Sequence, residues 1–150
     1  MNSLLRNALA VVAGLVATYC VNMAVIMSSG FVVAPPQGAD MMTAEGIRAA
    51  MPRMNALHFL MPLLAHALGT LAGGFAAAVT AVSHKMKMAL VVGVIFLILG
   101  MMMVRLVGGP LWFIVLDLVV AFVPMAWLGA KLGIGMTGRS GPARAAALSH

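Results

Sequence analysis

In one half of its four apolar stretches, the chain places one strongly polar side chain per stretch, Asn22, His66, Arg105 and Asp117, with Thr18 and Thr70 as milder members. Acids and histidines within membrane segments commonly mark proton and ion paths. A charge at the middle of a membrane costs ~3 kcal/mol on insertion scales, so we expect Asp117 to face the protein interior, near Arg105 or His66. This polar intramembrane cluster predicts either a proton or ion site or a structural pin that fixes the register of the helices.

Methionine provides a second chemical signal, because ten of the 15 methionines fall in one half of the predicted bundle or in its long loop. Thioethers, thiolates and imidazoles are ligands for Cu(I). The candidate ligands are Met23, Met27, Cys20 and His58. Methionine also fills gaps in apolar packing, so the metal is left unassigned and no cofactor is predicted.

Sequence motifs for enzyme chemistry are missing. The chain contains no His-x-x-x-His, no Gly-x-Ser-x-Gly, no phosphate-binding loop and no second carboxylate near Asp117. We therefore expect no enzymatic activity.

The composition predicts the elements that position these residues. Hydrophobic residues make up 63% of the 150 residues and charged residues 8%, with a mean hydropathy of +1.10, whereas ordinary globular proteins hold roughly 25% charged residues. Four apolar runs are long enough to cross a membrane as helices. The sequence thus predicts an all-α, polytopic membrane protein, a four-transmembrane-helix bundle with spans at about 4–27, 61–82, 86–107 and 111–132.

The segments between the spans complete the domain organisation. The outer loop, residues 28–60, contains "DMMTAEGIRAAM", which predicts a short outer-surface helix with Asp40 as N-cap and Pro52 closing it. Residues 1–135 form the predicted transmembrane domain. The Gly-, Ser- and Arg-containing segment 136–150 is predicted to be a flexible basic cytoplasmic tail.

Charge distribution predicts the orientation. Cytoplasmic loops of membrane proteins are enriched in Lys and Arg, and with both termini inside, six basic residues lie on the inner side: Arg6, Lys85, Lys87, Lys131, Arg139 and Arg144. We expect a multi-pass protein of the bacterial inner (cytoplasmic) membrane with cytoplasmic N- and C-termini. The formal net charge of +6 then faces anionic lipid headgroups, and no nucleic-acid partner is predicted.

Small residues at intervals of four indicate where the helices touch. Ala65, Gly69, Gly73 and Ala77 form such a ridge in span two, and Gly14 belongs to a similar ridge in span one. Small-xxx-small ridges allow close backbone approach in membranes. They predict packing within one bundle, with dimerisation through one of these faces as the alternative. Pro124 predicts a modest kink in span four near Val120.

The segments "LLAHALGTLAGGFAAAVTAVSHKMKMAL" and "GPLWFIVLDLVVAFVPMAWLGAKL" resemble a group of small four-span bacterial membrane proteins with no assigned function. The resemblance covers spans two to four and implies the architecture without an activity. Three functional hypotheses remain. The first is a structural, accessory or self-associating membrane subunit, with a second copy or a membrane protein as partner. The second is a small proton- or ion-coupled transporter using Asp117. The third is a Cu(I)-handling protein using the methionines of the outer half of the bundle and of the outer loop.

Overall fold

The computed structural model of the chain describes residues 2–147, and the side chains of residues 2–138. Its α-helices are α1 (Ser3–Val32), α2 (Ala44–Ala50), α3 (Ala56–Thr80), α4 (Lys85–Val107), α5 (Leu111–Leu116) and α6 (Val123–Ala147). A 3-10 turn, Met51–Arg53, follows α2, and a π-helical segment, Asp117–Ala121, joins α5 to α6. The predicted all-α architecture is confirmed.

Four of the described helices are long and apolar enough to cross a membrane: Ser3–Val32, Ala56–Thr80, Lys85–Val107 and Leu111–Gly138. Each contains one predicted span, apart from the last two residues of span two, and α1 and α3 extend beyond the predicted ends. Helix α6 continues to Ala147. The predicted flexible tail, 136–150, lies largely outside the residues whose side chains are described, and its flexibility stays a prediction.

The short helix between α1 and α3 begins later than the sequence suggested. Thr43, and not Asp40, is the N-cap of α2, because the Thr43 hydroxyl accepts a hydrogen bond from the Gly46 N–H at 3.1 Å. Asp40 lies one turn too early and instead accepts hydrogen bonds from the Met42 N–H and the Thr43 hydroxyl. The Arg48 side chain then ties α2 to the last turn of α4 by donating to the Leu106 carbonyl oxygen.

Helices α1 and α3 pack through the small residues that the sequence singled out. A methyl group added to Gly73 would lie 1.8 Å from the Thr18 hydroxyl and 2.6 Å from the Gly14 carbonyl oxygen. A methyl group on Gly69 would lie 2.9 Å from the Thr18 carbonyl oxygen. Ala65 and Ala77 are wholly buried. The two ridges therefore contact each other within one bundle.

A second face of α3, next to the face that contacts α1, packs against α6. A methyl group on Gly74 would lie 2.3 Å from the Ala126 carbonyl oxygen, and one on Gly129 would lie 2.1 Å from the Leu71 carbonyl oxygen. Since α3 contacts both α1 and α6 at backbone distance, it is the central helix of the bundle. Van der Waals contact between close backbones drives helix association in lipid.

The end of the bundle opposite α2 is held by one asparagine. The Asn7 side chain donates to the Ser83 hydroxyl at 2.8 Å and accepts from the Val82 and Ser83 N–H groups. These bonds fasten α1 to the turn between α3 and α4. His84 closes this turn in the left-handed region, with φ of 51°.

Candidate functional site

The central polar feature of the bundle is a pair formed by His66 of α3 and Asp117 of the π-helical segment. The His66 Nδ1 atom lies 2.8 Å from one Asp117 carboxylate oxygen and 2.9 Å from the other. No other basic and acidic side chains among those described lie within 4.0 Å of each other. Fifty-one residues separate the two partners, so the pair links two distant parts of the chain across the bundle interior.

Asp117 is placed here by an irregular turn of the fourth span. Pro124 has no N–H group to donate to the Val120 carbonyl, and its ring would collide with that carbonyl in a regular α-helix. The chain widens into the π-helical segment Asp117–Ala121 just before it, and a new helix begins at Val123. Pro124 then occupies the first turn of α6, where a missing N–H is tolerated. The predicted irregularity at Val120 is thus a π-helical turn, a feature that occurs frequently at functional sites.

The two partners differ in their access to the surroundings. The side chain of Asp117 is 4% exposed, whereas that of His66 is 28% exposed. The Phe122 ring lies beside the imidazole, with 5.2 Å between ring centroids, and Gly100 of α4 leaves room for the far edge of that ring. The Thr70 hydroxyl donates to the His66 backbone carbonyl. The carboxylate is therefore enclosed, and the imidazole forms its boundary.

The contact between Nδ1 and the carboxylate favours one tautomer of a neutral imidazole. When the Nδ1–H group of a neutral histidine donates to a carboxylate, the other ring nitrogen carries the free lone pair. Among the described residues, Nε2 of His66 makes no hydrogen bond. Nε2 can therefore accept a proton while Nδ1 stays bound to Asp117. Uptake of one proton would change the pair from one net negative charge to neutral.

The other two members of the predicted polar cluster lie apart from this pair. Arg105 is exposed on α4 and borders a groove next to Leu118. Asn22 is half-buried on α1, where its Cβ atom faces Gly69. Within residues 2–138, neither forms a hydrogen bond or ion pair with His66 or Asp117. The structure therefore brings together two of the four predicted residues.

The candidate copper ligands are distributed along the bundle surface. Both Cys20 and Met27 are exposed, and Met23 is half-buried. Both ring nitrogens of His58 already form hydrogen bonds. Its Nδ1 bonds to Asn55 at the start of α3, and its Nε2 bonds to the Ala34 carbonyl oxygen at 3.2 Å. No group of three or more His, Cys, Asp or Glu side chains within the described residues could hold a metal ion. Methionine sulfur binding of Cu(I) stays a prediction.

Two features of the site lie outside the predicted residue set. Phe122 covers the imidazole, and the π-helical turn presents Asp117 to α3. The sequence signal for the π-helical turn is Pro124, seven residues after Asp117. The signal for the position of Phe122 is Gly100, which leaves room for its ring. Comparisons with known protein families, with curated proteins and with solved structures found no match.

Proposed function

We propose that this chain is a small multi-pass membrane protein in which His66 and Asp117 form a proton-binding site that couples proton uptake to the movement of a solute or ion. The observation that carries the proposal is the Nδ1-to-carboxylate contact of 2.8 Å inside a membrane-spanning bundle. Ionisable residues in such a position are costly to insert and are commonly retained for proton relays.

The proposed step is a proton transfer at His66 Nε2. Asp117 holds the imidazole in the tautomer whose Nε2 lone pair points away from the carboxylate. Because His66 is partly exposed and Asp117 is enclosed, the proton enters and leaves through His66. The carboxylate remains charged and stabilises the imidazolium that forms. The pair changes from a net negative charge to a neutral state. This change in charge can shift the equilibrium between two conformations of the bundle.

The second candidate function is that of a structural or accessory subunit. One observation favours it: the pair joins α3 to the π-helical segment and so fixes the register of the fourth span. Polar contacts in membrane proteins average about 0.6 kcal/mol and often do no more than this. The two functions differ in whether protons cross the membrane by way of His66 and Asp117.

The first experiment follows the ring nitrogens of His66. The protein is labelled with ¹⁵N-histidine, placed in lipid nanodiscs and titrated from pH 4 to 9, with His66→Gln used to assign the signal. We expect Nδ1 to remain protonated throughout and Nε2 to gain a proton as the pH falls. His58→Gln is the matched control, because His58 is bound at both nitrogens by Asn55 and Ala34.

Flux measurements connect this titration to function. Proteoliposomes containing a pH-sensitive dye should show proton movement with the parent protein and His58→Gln, and none with Asp117→Asn or His66→Gln. Asparagine keeps an oxygen that can accept the Nδ1–H bond but cannot carry charge. If Nε2 never titrates, or if Asp117→Asn moves protons as fast as the parent, the proton-binding function is refuted. A loss of thermal stability alone would then assign the pair a structural function.

The membrane, orientation and partners follow as part of the same proposal. The formal net charge of +6 and the basic residues Arg6, Lys85 and Lys87 at one end of the bundle support a bacterial inner-membrane protein with cytoplasmic termini. A second copy or another membrane protein remains the proposed partner for the exposed helix faces. Cysteine accessibility tests the orientation: cysteines placed at Ser83 and at Gly38, in the Cys20→Ala background, should react from opposite sides of sealed vesicles.

A further inference from the structure

A groove of about 370 Å³ lies on the surface of α4, close to the end that carries α2. Its lining is almost wholly apolar, with one cation. The lining residues are Ile98, Met101, Met102, Val104, Arg105 and Leu118. Five of the six come from α4, and Leu118 comes from the π-helical segment.

Arg105 is the unusual member of this lining. It is exposed, it lies two residues before the end of α4, and it forms no ion pair among the described residues. The chain has three acidic residues, and none of them, Glu45 of α2 included, lies within 4.0 Å of the Arg105 side chain. The carboxylate of Asp117 is bound by His66, and that of Asp40 is bound by Thr43. An arginine near the membrane boundary, beside an apolar groove, therefore lacks a counter-charge within the described protein.

We infer that this groove binds an anionic phospholipid, with one acyl chain along the apolar lining and the headgroup phosphate on Arg105. A guanidinium group binds phosphate with two parallel hydrogen bonds, which an ammonium group cannot reproduce. The side chains of α4 lean toward its N-terminus, which keeps the guanidinium beside the groove. Charge complementarity selects an anionic headgroup over a zwitterionic one, and the apolar lining selects a lipid over a free phosphate.

The position of the lipid gives it a connection to the His66–Asp117 pair. Leu118 directly follows Asp117 in the π-helical segment. An acyl chain in the groove therefore contacts the same turn that holds the carboxylate.

The experiment measures lipid retention by native mass spectrometry. Detergent-purified protein is titrated with phosphatidylglycerol and with phosphatidylcholine of identical acyl chains. We expect the parent protein to retain phosphatidylglycerol about fivefold more strongly, a preference of the size one basic residue supplies near a membrane surface. Arg105→Gln should abolish the preference. Lys87→Gln, at the other end of the same helix and outside the groove, should keep it.

A steric pair of variants tests the apolar part of the site. Ile98→Trp fills the groove and should weaken retention of both lipids, whereas Val94→Trp, on an exposed part of α4 outside the lining, should not. Glycerol phosphate, which lacks acyl chains, should not displace the bound lipid.

Three results would overturn the inference. These are an unchanged preference in Arg105→Gln, displacement by glycerol phosphate alone, and unchanged lipid retention in Ile98→Trp. If the Arg105 and Ile98 variants instead change the oligomeric state without changing lipid retention, the groove is occupied by a second copy of the chain, and the lipid assignment is wrong.

Discussion

Gly129→Ala should separate α6 from α3 and destabilise the bundle. The added methyl group would lie 2.1 Å from the Leu71 carbonyl oxygen and 2.8 Å from the Phe75 backbone nitrogen. Both atoms belong to the backbone of the central helix, so no side-chain rotation relieves the collision. Since real Cβ atoms essentially never approach another atom below 3.0 Å, the two helices must move apart by about 0.9 Å.

The magnitude follows from that separation. A gap of 0.5–1 Å forfeits roughly a quarter to a half of each atom–atom attraction, and each such attraction is worth ~0.1–0.2 kcal/mol. Several tens of atom pairs across the α3–α6 contact then lose about 2–3 kcal/mol together, as is typical of an overpacked core. Alanine regains up to ~1 kcal/mol of helix propensity over glycine. A net destabilisation of about 1–2 kcal/mol is expected.

Unfolding by titration with sodium dodecyl sulfate from mild mixed micelles measures this free energy through the loss of helical ellipticity. Gly135→Ala is the matched control, because Gly135 lies on the same helix and an added methyl group there meets no atom within 4 Å. The control should be as stable as the parent or more stable. If Gly129→Ala unfolds at the same detergent fraction as Gly135→Ala, the close approach of α3 and α6 is refuted.

The remaining predictions concern the loop and the irregular turn. Hydrogen bonds from the Thr43 hydroxyl and the Met42 N–H lower the pKa of Asp40. These bonds therefore stabilise the folded protein above the unfolded pKa of about 3.9, and this stabilisation is lost as the pH falls through the folded pKa. Thr43→Ala should raise this pKa in a carbon-13 NMR titration of the carboxyl group, and an unchanged value would exclude the contact. Pro124→Ala should allow a regular α-helix and turn Asp117 away from its partner, which should shift the His66 Nδ1 signal. An unaltered signal would show that the proline does not cause the π-helical turn.

The architecture could be predicted because it depends on local composition. Apolar length determines which segments can span a membrane, and small residues at intervals of four determine which faces approach closely. Gly14 and Gly73 lie against each other at backbone distance for that reason. The N-cap of α2 could not be chosen reliably, because Asp40 and Thr43 are both good N-cap residues and their mutual hydrogen bond decides between them.

The partner of Asp117 required information that local sequence does not contain. The cost of an unpaired charge predicted that Asp117 has a partner, and both Arg105 and His66 lay at suitable depths. Helix rotation decides between them. Arg105 is on a face of α4 that borders the surface groove, whereas His66 is on the face of α3 that meets the π-helical segment. Depth can be counted along a sequence, but rotation about the helix axis depends on packing.

The π-helical turn explains how two distant positions of the fourth span, Asp117 and Gly129, both contact α3. Asp117 and Gly129 both meet α3, through His66 and Leu71 respectively. They are 12 residues apart, which in a regular α-helix would place them about 120° apart around the axis, on different faces. A turn that accommodates one extra residue removes about 100° of that difference. The widened turn therefore brings the close approach at Gly129 and the carboxylate contact at His66 to nearly the same face of the span. The widened turn is thus the feature through which helix packing determines the geometry of the proposed proton site.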